Sequence, residues 1–130
     1  YRTGRVREMA IDIPGNVKIY GSFPANMEGT DHDLSKRNPV LTPTIISGKL
    51  QDNYKYYVAH LINIDGKQDI TIDGFKLTFA NAVDTDLEQN PVQDGAAITL
   101  KNCQKHDGDS SPNIHFRNIT VSNCYVRGIS

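Results

Sequence analysis

Several classes of protein are excluded by what this sequence has little of. It has two cysteines in 130 residues, too few for a disulfide framework. Its 14 basic residues are balanced by 15 acidic ones, so no positive excess is available to bind a nucleic-acid backbone. Its longest apolar runs are only a few residues, which excludes a membrane-spanning pattern. No helical period is sustained over three turns.

The two cysteines, Cys103 and Cys124, each follow an asparagine. We expect both to be small, buried residues in strands, the ordinary environment of a free cysteine. A disulfide between them stays open as an alternative. Their spacing matches no zinc site, which needs closely spaced ligand pairs.

What the sequence does contain is a short pattern that occurs three times. The copies are NVKIYG at 16–21, DITIDG at 69–74 and NIHFRN at 113–118. Each opens on Asn or Asp, alternates apolar and polar residues, and closes on Gly or Asn. Alternation predicts a strand with one buried face, and Gly or Asn tolerates a left-handed bend. We therefore expect Gly21, Gly74 and Asn118 to occupy equivalent bends.

The repeat extends beyond the pattern on both sides. Alternating segments precede the copies at 9–13, 60–64 and 96–100, and further strands follow at 44–48, 75–79 and 119–123. Strands that recur with a constant motif predict a solenoid, in which each coil buries its apolar face against the next. The predicted inward ladders are Ile11, Ile62 and Ile98; Val17, Ile70 and Ile114; and Ile19, Ile72 and Phe116.

Insertions of unequal length separate the strands. They fall at about 24–43, 80–95 and 104–112, and are rich in Asp, Asn, Pro and Ser. Such residues favour loops, and solenoids accept insertions at their corners. We read residues 1–130 as one domain and expect it to be a segment of a longer chain.

Three stretches carry a resemblance to a known family. VKIYGSF at 17–23, PTIISG at 43–48 and IDGFKLT at 72–78 resemble the right-handed parallel β-helix proteins of bacterial surfaces, over about residues 9 to 130. The resemblance implies an all-β, pectate-lyase-like solenoid of about three coils, each with three short strands and long corner loops. It also implies a secreted or cell-surface bacterial protein, as in Bacteroidetes. The family has no universal catalytic motif, so it assigns no residue a role.

Stacking turns the repeat into a map of the surface. Equivalent residues of neighbouring coils lie about 4.8 Å apart, so Lys18, Thr71 and His115 should form one outward row. Tyr20, Asp73 and Arg117 should form the next, with an exposed ion pair between Asp73 and Arg117. A ring, acceptors and donors on one face are suited to sugars. The predicted ligand-binding residues are Lys18, Tyr20, Asp73, His115 and Arg117.

Other polar residues give weaker indications. Asp84, Asp86, Glu88 and Asp94 crowd one loop and are a candidate calcium site, since calcium prefers carboxylate oxygens, although their spacing matches no EF-hand. No other cofactor is expected. His60 is expected to be a hydrogen-bonded histidine at a strand edge.

Three functions follow from these patterns. The first is a non-catalytic, secreted or surface β-helix module that binds glycans or mediates adhesion. The second is a polysaccharide lyase or glycoside hydrolase, which would draw on Lys18, Lys76, Arg117, Asp12 and Asp73, although no spacing selects them. The third is a scaffold segment without a ligand of its own. The expected partners are a polysaccharide and further coils of the same chain.

Overall fold

The strands of the protein follow the predicted repeat closely. A computed structural model describes residues 10–25, 33–50, 52, 57–81, 97–103 and 112–124. Within these ranges the chain forms strands and a single 3-10 helix, Leu34–Lys36. The strands are β1 Ile11–Asp12, β2 Val17–Tyr20, β3 Thr44–Ser47, β4 Ile62–Asp65, β5 Ile70–Thr78, β6 Ile98–Lys101 and β7 Ile114–Ser122.

All pairing between these strands is parallel and forms two open sheets. Sheet A has the order β1-β4-β6. In sheet B, β5 pairs with β7 along one edge, and with β2 and then β3 along the other. The chain therefore contains three repeats. The first has three strands, β1 to β3, as predicted. The second and third have two strands each, β4 with β5 and β6 with β7, because the two predicted later strands join into one nine-residue strand. The prediction of an all-β chain with parallel pairing is confirmed.

The register of the sheets confirms the predicted ladders. Ile11 pairs with Ile62, which pairs with Ile98, although Ile11 is 49% exposed and only the other two are buried as predicted. The other two ladders are equally in step: Val17, Ile70, Ile114 and Ile19, Ile72, Phe116. Register is this well specified because a slip of one residue would turn every apolar side chain away from the core.

Most bends with a positive φ occur where the sequence places Asn, Asp or Gly; the two exceptions are Ser22 and Phe79, the latter with a φ of 60°. Gly74 and Asn118 have positive φ angles of 88° and 50°, as expected. In the first repeat the positive φ, 71°, falls on Ser22 and not on Gly21. Gly21 is required for a different reason. A Cβ there would lie 2.6 Å from the carbonyl oxygen of Gly74, so only glycine permits this approach between repeats.

The core lies between the two sheets and is most complete in the second repeat. Ile64 and Leu77 are fully buried, and Ile72 is 1% exposed. In the third repeat the equivalent residues of β7, such as Phe116 and Val121, are only half-buried. Both cysteines are free and pack against this core, but the expectation of buried strand residues is wrong: they are half-buried and follow the ends of β6 and β7. The described part of the chain contains no helix of the length and apolarity needed to cross a membrane.

Of the three predicted insertions, the structure describes more than a few residues only in the first, at 24–43. Its second half, from Asp33, carries the 3-10 helix and then a turn that leads into β3. Most of the insertions at 80–95 and 104–112 lies outside the described residues, including the candidate calcium ligands Asp84, Asp86, Glu88 and Asp94.

Candidate functional site

The outer face of sheet B carries the polar rows that the sequence predicts. We use this name for the side chains of β2, β3, β5 and β7 that alternate with the core residues. Lys18 pairs in register with Thr71, which pairs with His115. Lys18 and His115 are exposed, and Thr71 is half-buried between them. These three residues form one row, as predicted.

The second row is in register but is not the exposed surface that the sequence predicts. Tyr20 pairs with Asp73, and Asp73 with Arg117. Arg117 is exposed, but Asp73 is buried, with 6% of its surface accessible. The predicted exposed ion pair between Asp73 and Arg117 is wrong, because a residue of the first insertion covers the carboxylate.

That residue is Arg37. Its Nη2 lies 2.7 Å from Asp73 Oδ1, and both side chains are about nine-tenths buried, being 10% and 9% exposed. Arg37 Nε also donates to the carbonyl oxygen of Gly21, at 2.8 Å. The guanidinium carbon lies 5.0 Å from the ring centroid of Tyr20 and 6.0 Å from that of Phe23, within range of cation–π attraction. One side chain therefore fixes the insertion to the first two repeats.

Asp73 also accepts a hydrogen bond from the third repeat. Asn118 Nδ2 donates to Asp73 Oδ1 at 2.8 Å, from the bend of the third repeat. The hydrogen bond from Arg37 lowers the pKa of Asp73 most, the one from Asn118 and the charge of Arg117 lower it further, and burial opposes them. Asp73 is therefore a charged structural centre that ties the insertion and two repeats together.

A corner row, which the sequence patterns did not assign to the site, adjoins the first outward row. Asn16, Asp69 and Asn113 open the three copies of the motif, and their φ angles are 59°, 57° and 53°. Asn113 Nδ2 donates to Asp69 Oδ1 at 3.2 Å. His115 Nε2 donates to Asn113 Oδ1 at 2.7 Å. An exposed relay of imidazole, amide and carboxylate therefore borders Lys18 and Thr71.

The charges on the outer face of sheet B are unbalanced. Its rows present Lys18, Lys76 and Arg117, whereas their one carboxylate, Asp73, is buried and already paired with Arg37. By strand spacing, the Cα atoms of Lys18 and Arg117 lie roughly 12 Å apart, two strands and two residues away from each other. The face therefore offers separated positive charges beside hydroxyl, imidazole and amide groups, with the exposed carboxylate of Asp69 at its corner.

Sheet A differs in chemistry from sheet B. Asp12 is exposed on β1 and accepts a hydrogen bond from Asn63 Nδ2 at 2.9 Å. The carboxylates of Asp12 and Asp73, both considered for hydrolysis, therefore belong to different sheets. His60 Nδ1 lies 3.2 Å from Thr99 Oγ1, which confirms the expected hydrogen-bonded histidine. Among the described residues, no group of three or more His, Cys, Asp or Glu side chains could hold a metal ion.

Comparison with known proteins adds no assignment. No family model, no curated protein and no solved structure matches this chain. Its function therefore has to be argued from the outer face of sheet B itself.

Proposed function

We propose that this chain is a non-catalytic β-helix module that binds an extended anionic glycan on the outer face of sheet B. The single observation that carries the proposal is the charge of that face: Lys18, Lys76 and Arg117 project from it, and Asp73 is neutralised beneath Arg37. A polymer with a carboxylate or sulfate on its sugars would place negative groups along these cations. Thr71, His115 and Asn113 would meet its hydroxyls.

The proposed architecture is a right-handed parallel β-helix of three coils. Its support is the parallel register of three successive repeats, with left-handed bends at equivalent positions such as Asp69 and Asn113. Parallel strands in one sheet are connected with a right-handed crossover in nearly all proteins. We also propose that further coils of the same chain cover β7, whose core residues are only half-buried. The resemblance to bacterial surface proteins supports a secreted or cell-surface location.

The affinity of such a face should be modest and dependent on salt. A flat, hydrated surface has few desolvated anchors, and exposed charges are screened over about 8 Å at physiological ionic strength. A repeating polymer compensates for this modest affinity, because many equivalent segments can occupy the face in turn.

The test uses one polymer in two charge states. We expect the chain to bind polygalacturonate, and to bind fully methyl-esterified polygalacturonate at least about tenfold more weakly, since esterification removes contacts to several cations, each worth up to about 1 kcal/mol. The measurement is isothermal titration calorimetry at low and high salt. Equal binding of both polymers, or binding that salt leaves unchanged, would refute the anionic preference.

Variants locate the site. Lys18→Ser with Arg117→Ser should weaken binding of the charged polymer about tenfold or more, because both side chains are exposed on the proposed face. Lys101→Ser is the matched control, an exposed lysine on sheet A. If the control loses as much affinity as the double variant, the site lies elsewhere. Release of unsaturated or reducing products in the same samples would favour the enzyme, and absence of binding would leave the scaffold role.

A further inference from the structure

Strand β3 lies at an edge of sheet B. It pairs with β5 through Thr44, Ile45, Ile46 and Ser47, and in the described part of the chain no strand covers its other edge. An open edge presents unpaired backbone N–H and C=O groups, a template for another strand. Proteins protect such edges in several ways, among them charged side chains, proline and short strands.

The other edge strands each contain a charged residue, as the inner strands β4 and β5 also do, whereas β3 contains none. β1 contains Asp12, β2 contains Lys18, β6 contains Lys101 and β7 contains Arg117. The sequence of β3 is Thr-Ile-Ile-Ser, with no charge and three β-branched residues. Moreover, no residue from 38 to 48 is charged.

The same segment exposes large apolar side chains. Val40 is 86% exposed, Leu41 76% and Ile45 58%. The first two are not on a loose loop, because Asn38 Oδ1 accepts hydrogen bonds from both of their backbone N–H groups, each at 3.1 Å. The N–H of Asn38 in turn donates to the carbonyl oxygen of Ser22 at 2.9 Å. A hydrogen-bonded turn therefore holds the exposed side chains of Val40 and Leu41 shortly before the uncharged strand β3.

We propose that β3 is a self-association edge, which pairs antiparallel with β3 of a second copy of this chain about a two-fold axis. A two-fold interface brings the same patch of both copies together, so a charged patch would repel itself. The uncharged segment 38–48 meets that condition, and a net charge of -1 adds little repulsion between whole molecules. Val40, Leu41 and Ile45 of each copy would then leave water together with the paired backbone.

The patch is small, so the dimer should be weak. Stable complexes bury about 800 Å² on each partner, more than a four-residue strand and a short turn supply. We expect a dissociation constant on the order of 10 µM, so that dilution separates the copies.

Sedimentation velocity on the 130-residue chain, from about 1 to about 300 µM, brackets that constant. We expect a monomer that converts to a dimer and no further. Ile45→Lys with Leu41→Lys should weaken dimerisation at least tenfold, because it places like charges on the edge that repel each other across the two-fold axis. Both positions are exposed, so the fold should survive, which circular dichroism melting checks. Thr120→Lys is the matched control: it lies in the same outward row as Ile45 and Lys76, but on the opposite edge.

The remaining outcomes decide against the proposal. A monomer throughout the concentration range would refute self-association through β3. Oligomers that grow without limit would indicate end-to-end stacking of repeats, since only a two-fold contact closes on itself. Equal dimerisation by the double variant would place the interface elsewhere. Glycan binding is measured separately, and neither proposal depends on the other.

Discussion

Replacing Gly74 by valine is expected to lower the free energy of unfolding by about 2–4 kcal/mol. Two costs combine at this position. Its φ of 88° lies in a region that a β-branched residue rarely adopts. A Cβ would also lie 2.7 Å from Arg37 Nη2 and 2.9 Å from Ser22 Oγ, so the Arg37 side chain that covers Asp73 would have to shift. Chemical denaturation at neutral pH measures the loss.

Gly66→Val separates the two costs. Gly66 has a similar left-handed φ of 63°, but a Cβ there would meet nothing within 4 Å. We expect this control to lose only the backbone part, roughly 1–2 kcal/mol. Equal losses at the two glycines would mean that crowding around Gly74 contributes nothing, and an unchanged Gly74→Val protein would contradict the described bend.

Replacing Arg37 by alanine is the second change with a large expected effect, a loss of about 3 kcal/mol in unfolding free energy. The substitution leaves the carboxylate of Asp73 buried without its main partner, and it also removes the hydrogen bond to Gly21 and the stacking on Tyr20. Asp52→Asn is the matched control, since it breaks the ion pair between Lys49 and an Asp52 side chain that is 97% exposed.

The control should be indistinguishable from the parent, because exposed ion pairs contribute little to stability. If Arg37→Ala is as stable as the parent, the insertion is not fastened by Asp73. Arg37→Lys keeps the charge without the planar fork that reaches Gly21 and Asp73 together. We expect it to recover only part of the loss.

The same ion pair predicts how stability changes with pH. The Arg37 hydrogen bond holds the pKa of Asp73 below its ordinary value. A carboxyl whose pKa is lower in the folded state stabilises the fold above the unfolded pKa, about 3.9, and loses that contribution as pH falls through the folded value. The stability difference between the parent and Asp73→Asn should therefore be constant from about pH 7 to 5 and should shrink below about pH 4. A constant difference down to pH 2 would contradict this.

The sequence by itself determined the strands, their register and most of the bends. Alternation with period two identifies the strand and its buried face, so Ile72 could be aligned with Ile19 and Phe116 without a structure. Asn118 and Gly74 could be placed at bends because few other residues adopt positive φ at low cost. These features are local, because each depends on a few consecutive residues.

Only the tertiary structure decided which residues of the second outward row are exposed to water. Alternation placed Asp73 on the outer face, and it does lie there, but Arg37 covers it from an insertion 36 residues away in sequence. No period relates a loop residue to the strand it contacts, because loop conformation depends on long-range partners such as Gly21 and Tyr20. Burial removes water from both charges, and their mutual attraction, with the hydrogen bond from Asn118 to Asp73, compensates for that loss.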